Sequence, residues 1–60
     1  MDVKEGMIFR DRDKRRMSEF KITGVMPTFG YVGILRNNRR LLIKIDRLER
    51  RYEYVRYDPA

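Results

Sequence analysis

No apolar run in this 60-residue chain exceeds three residues, the longest being Met7–Ile8–Phe9 and Leu41–Leu42–Ile43, and turn-forming residues punctuate the pattern. Gly6, Gly24, Pro27, Gly30, Asn37–Asn38 and Pro59 punctuate the chain, and the short apolar runs between them read as strands. The first is Met7–Ile8–Phe9, entered through Lys4–Glu5–Gly6. A polar surface loop follows from Arg10 to Ser18. Phe20 and Ile22 then alternate with Glu19, Lys21 and Thr23, which predicts a half-buried strand over 19–26 with a bulge or bend at Gly24.

Pro27–Thr28–Phe29–Gly30 is a turn by composition, and Tyr31–Arg36 is a strand rich in β-branched and aromatic residues. Asn tolerates positive φ, so Asn37–Asn38 predicts a tight two-residue hairpin. The return strand, Arg39–Ile45, should turn Leu41, Ile43 and Ile45 to one face and Arg40, Leu42 and Lys44 to the other. Asp46–Arg51 has only Leu48 as an apolar anchor, which predicts one short 3-10 or helical turn capped by Asp46. Tyr52–Tyr57 forms the last strand. The expected core is Ile8, Phe20, Ile22, Val25, Val32, Ile34, Leu41, Ile43, Ile45, Leu48 and Val55. This is a thin core, as expected of one domain over residues 1–60, and pairing through a free edge strand would add to it.

Composition excludes several chemistries. The chain has no Cys and no His, which removes disulfides, thiolate and imidazole catalysis and the usual zinc ligands. Outside tyrosine, only Ser18, Thr23 and Thr28 carry hydroxyls, with no imidazole to activate them, so an enzyme is not expected. Asp11, Asp13, Asp46 and Glu49 have cationic neighbours and read as ion-pair and loop-ordering residues rather than metal ligands. Neither a metal nor a cofactor is expected. The N-terminal residues show no signal-peptide pattern and no run approaches a membrane span, which points to a cytoplasmic protein with no membrane partner.

The charge balance carries the main functional signal. Fifteen Lys and Arg against nine Asp and Glu leave a net charge of +6, and Arg outnumbers Lys by 11 to 4. Guanidinium is the better phosphate clamp by geometry. Arg10, Arg12, Lys14, Arg15 and Arg16 fall on the first loop, Arg36, Arg39 and Arg40 flank the hairpin, and Lys44 follows on the return strand. Phe29 and Tyr31 are candidate stacking residues beside them. The bland reading of these cations is a solvated face, and of Tyr52 and Tyr54 a cap over the end of the core. Favoured over these is a nucleic-acid-binding module, with RNA or single strands preferred and duplex DNA possible, because no recognition helix is present to enter a major groove. The competing reading is a protein-interaction module or homodimer that docks through Tyr52, Tyr54 and Tyr57 or through the turn Met26–Phe29.

Five short strands, a long polar loop after the first, a tight hairpin between the third and fourth and a helical turn before the last resemble a small SH3-like β-barrel. The opening Lys4–Phe9 resembles that of barrels of the KOW and translation-protein kind, and Ile43–Leu48 resembles their strand-to-turn passage. Gly6, Phe9, Arg10, Asp11, Asp13, Arg39, Arg40, Ile43, Arg47, Leu48 and Val55 make the chain similar to short uncharacterised phage and bacterial proteins. These resemblances imply an all-β, five-stranded barrel and a phage-type regulatory or adaptor role. Plasmid-type dihydrofolate reductase is set aside, since Leu42–Ile45 stands where that family carries its nicotinamide-binding Val-Gln-Ile-Tyr run.

Overall fold

A computed structural model describes residues 2–16 and 18–59; Met17, expected in the first loop, lies outside the described residues. Five strands form one antiparallel sheet in the order β4-β3-β2-β1-β5: β1 (Met7–Asp11), β2 (Glu19–Met26), β3 (Gly30–Leu35), β4 (Arg40–Lys44) and β5 (Tyr52–Tyr57). The helix α1 (Ile45–Arg51) carries the chain from one edge strand, β4, to the other, β5. Short connections make the first four strands a meander, and only the last must cross the sheet.

The main buried cluster lies on one face, and Ile8, also buried as expected, lies on the other. Phe9 pairs with Phe20 across β1 and β2, and Ile22, Ile43 and Leu48 complete the buried cluster, with Leu35, Leu41, Tyr31 and Tyr52 packed around it. Gly33, opposite Ile22, sits beneath the Phe20 ring, where a Cβ would come within 2.7 Å of Cδ2. Gly6, at φ 99°, pins the chain on both sides: its N–H donates to Ile22 O at 2.9 Å and its carbonyl accepts from Asp58 N–H at 2.7 Å.

Two bulges bend the sheet. The β2–β3 register slips at Thr23, beside the glycine that marks it in the sequence, and the β1–β5 register slips at Val55, so that Ile8 faces Arg56 and Phe9 faces Tyr54.

Several expectations are corrected. The first strand runs on through Arg10 and Asp11, because Arg10 is held against Glu53 of β5 and Asp11 is buried with its carboxylate accepting Asp13 N–H at 2.8 Å. Phe9, absent from the expected core, is one of its centres. Val25 and Ile45 are instead 43% and 42% exposed. Val25 follows the Thr23 bulge at the far end of β2. Ile45 opens the helix, so strand alternation no longer governs it. Val32, Ile34, Leu41 and Val55 are half-buried.

The hairpin loop has three residues rather than two. Asn38 N–H donates to Leu35 O at 2.9 Å, Leu35 N–H donates to Arg39 O at 2.8 Å, and Asn38 alone adopts the left-handed conformation, at φ 66°. The helical turn is an α-helix of seven residues. Its N-cap is Lys44 with no side-chain cap, while Asp46 lies in the first turn and pairs with Arg50 at 3.2 Å. Leu48 is its one buried residue and the reason it lies flat on the core.

Candidate nucleic-acid interface

The meander brings distant cations to one end of the sheet. Arg10 pairs with Glu19, Phe20 with Leu35 and Ile34 with Arg40, so the first loop and the β3–β4 hairpin emerge side by side. A groove of about 260 Å³ between them is lined by Ser18, Glu19, Leu35, Arg36 and Asn37. The first loop is ordered by its own acids, Asp11 accepting from Asp13 N–H and Asp13 from Arg15 N–H at 3.0 Å. It is also tied to the α1–β5 junction, where Arg12 N–H donates to Arg51 O at 2.9 Å and Arg12 Nε to Tyr52 O at 3.1 Å.

The result is a crest of exposed cations: Arg12, Lys14, Arg15, Arg16, Arg36, Arg39 and Arg40. Among the described residues only Arg15 of this set meets a carboxylate, Asp13, at 3.4 Å. The basic residues of β1, β2 and β5 are engaged differently. Arg10 binds Glu53 at 2.8 Å, Arg56 binds Glu19 at 3.3 Å and Lys21 binds Asp58 at 3.9 Å, a ladder of cross-strand pairs on the outer face. Arg10 therefore belongs to this ladder more than to the crest. At the helix end it is the Arg51 carbonyl that ties the first loop down, a contact the sequence does not mark because it forms only at the α1–β5 junction.

The remaining candidates separate. Phe29, 42% exposed, and Lys44 lie at the opposite end of the sheet, where Met26 pairs with Gly30 and Gly30 with Lys44. Tyr31 packs against the core and lines a cleft of about 280 Å³ with Phe9, Leu48, Tyr52, Tyr54 and Arg12, edged by Glu49 and Glu53. Tyr52 meets Phe20 edge-to-face at 4.9 Å, and Tyr54 meets Phe9 likewise at 5.8 Å while staying 42% exposed. Of the tyrosines in the cleft, Tyr52 stands at the crest end of the sheet, paired to Asp11 at the end of β1.

Comparison with protein-family models, with curated proteins and with solved structures finds no match to this chain.

The described residues contain no group of three or more His, Cys, Asp or Glu arranged to hold a metal ion, and no helix long and apolar enough to cross a membrane. What the site offers is positive charge on two loops, one ordered by its own carboxylates, beside an aromatic cleft. That combination suits the binding of an anionic polymer with planar groups.

Proposed function

We propose that this chain is a small nucleic-acid-binding module that takes single-stranded nucleic acid, RNA foremost, on the crest formed by the first loop and the β3–β4 hairpin. The observation that carries the reading is the convergence of Arg12, Lys14, Arg16, Arg36, Arg39 and Arg40 at one end of the sheet with no carboxylate partner among the described residues. Backbone phosphates lie along these cations, and an unpaired base enters the Tyr31–Tyr52–Tyr54 cleft beside Arg12. The strand order, the two bulges and the α1 crossover support an SH3-like barrel as the scaffold. A phage-type regulatory protein of the cytoplasm fits this size and charge.

The test is fluorescence anisotropy of the full chain with labelled single-stranded RNA, single-stranded DNA and duplex DNA over a salt series. Binding is expected to persist at physiological salt and to favour one single strand. Arg36→Glu with Arg39→Glu should abolish it, and Tyr54→Ala should weaken single strands about tenfold while leaving the duplex unchanged, as loss of one stacked base implies. Equal, weak binding of all three that disappears at physiological salt overturns the proposal.

A further inference from the structure

The sheet has an open edge at β4, and its chemistry is asymmetric. Among the described residues β4 pairs only with β3. The hairpin bond from Leu35 N–H to Arg39 O sets the alternation, so Leu41 and Ile43 exchange backbone bonds with Gly33 and Tyr31, while Arg40, Leu42 and Lys44 face Ile34, Val32 and Gly30 as non-bonded pairs. The N–H and C=O groups of Arg40 and Leu42 therefore point away from the sheet. Their side chains share the outer face with Lys44, and Leu42 is 63% exposed, the most exposed large hydrophobic residue among the described residues. Among the described residues neither Arg40 nor Lys44 forms an ion pair, in contrast to the cation–carboxylate ladder on the same face of β1, β2 and β5.

This edge reads cation, apolar, cation at alternate positions, and the pattern is the same in either direction. A second copy pairing antiparallel about Leu42 would place Arg40 opposite Lys44 of that copy on both sides, and like charges directly opposite disfavour a β4–β4 dimer. An extended segment with an apolar residue flanked at both second positions by carboxylates meets the opposite condition. It can bond to Leu42 through both backbone groups, cover its side chain and neutralise both cations.

We propose that the β4 edge is a strand-addition site for an extended acidic segment of a partner protein, of the pattern acidic-x-apolar-x-acidic. The site is distinct from the loop crest, sharing with it only Arg40, and is independent of the nucleic-acid reading.

The experiment uses the full chain, a labelled peptide Gly-Glu-Thr-Val-Thr-Glu-Gly and its counterpart with Lys in place of both Glu, read by anisotropy and by backbone amide NMR with hydrogen exchange. The Glu peptide should bind and the Lys peptide should not. The amides of Arg40 and Leu42 should be unprotected in the free protein and become protected with peptide, while those of Leu41 and Ile43 are protected throughout. Arg40→Glu with Lys44→Glu should weaken the Glu peptide roughly tenfold and create binding of the Lys peptide, as reversal of two cross-strand charge pairs implies. Gain of the Lys peptide also shows that the variant is folded. The proposal is overturned by equal binding of both peptides or by protection confined to β5. It is equally overturned if the free protein is a dimer with the Leu42 amide already protected, or if single-stranded RNA protects that amide and the peptide does not. Loss of RNA binding in Arg36→Glu/Arg39→Glu with peptide binding retained would separate the two sites.

Discussion

At the scale of single residues, the fold depends on a few places where one atom more or one oxygen less cannot be absorbed. Gly33 is the clearest. Its missing Cβ leaves room for the Phe20 ring, itself wedged between Phe9 at 6.1 Å and Tyr52 at 4.9 Å, so the ring has nowhere to retreat. Gly33→Ala is expected to destabilise the protein by about 1–3 kcal/mol, the usual cost of overpacking a filled core, measured by urea denaturation. Asp11 is a second such place. It reads in the sequence as one acid in a charged loop, yet its carboxylate is buried and holds the Asp13 N–H. The residue spacing, Asp two before a backbone N–H in a polar stretch, does announce that bond. The burial comes from β5, which pairs Tyr52 with Asp11 and is distant in sequence.

At the scale of elements, the strands were legible because a period of two survives even in short runs. The alternation places Phe20 and Ile22 inward and leaves Leu42 outward on β4, with Leu41 and Ile43 against the core. Boundaries were less legible where a side chain's partner comes from elsewhere in the chain. β1 extends to Asp11 only because β5 supplies a partner for each residue, with Glu53 holding Arg10 at 2.8 Å. The helix is weakly encoded for the same reason. One buried leucine in seven residues is a weak periodic signal, but tertiary contact with the core turns it into the anchor of the element. Leu48→Ala should therefore cost about 2–5 kcal/mol in equilibrium unfolding, the range for a fully buried leucine. A loss of less than about 1 kcal/mol would mean that α1 contributes little to the fold.

At the scale of the whole molecule, the net charge of +6 is distributed unevenly. On the outer face of β1, β2 and β5 cations are matched by Glu53, Glu19 and Asp58, whereas the crest and the β4 edge are not matched. Exposed pairs of this kind contribute little to stability, with a median of about 0–1 kcal/mol. Unmatched cations add repulsion that salt relieves. Raising ionic strength is therefore expected to leave thermal stability unchanged or slightly raised, while binding of an anionic polymer weakens steeply, with a log–log slope of about −0.7 per phosphate contacted on a single strand. A thermal midpoint that falls with added salt would show that the matched pairs outweigh the crest. With so small a core, such modest electrostatic terms are a visible fraction of the total stability.

The sequence alone determined the features that local chemistry dictates: mostly β structure, the number of strands and their succession along the chain, the bulge beside Gly24, the turn at Pro27–Gly30 and a hairpin at Asn37–Asn38, where Asn38 takes the positive φ. These depend on residues close together in the chain, and their preferences are written in consecutive positions. The tertiary structure alone decided which cations stand together. Register placed Arg36, Arg39 and Arg40 beside the first loop, removed Arg10 into a pair with Glu53, and carried Phe29 and Lys44 to the opposite end. It also set Tyr31 in a cleft with Tyr52 and Tyr54, which stand far along the chain from it. Charge and aromaticity are properties of residues, but a binding surface is a property of strand pairing, and no local pattern specifies which distant partner a strand will find.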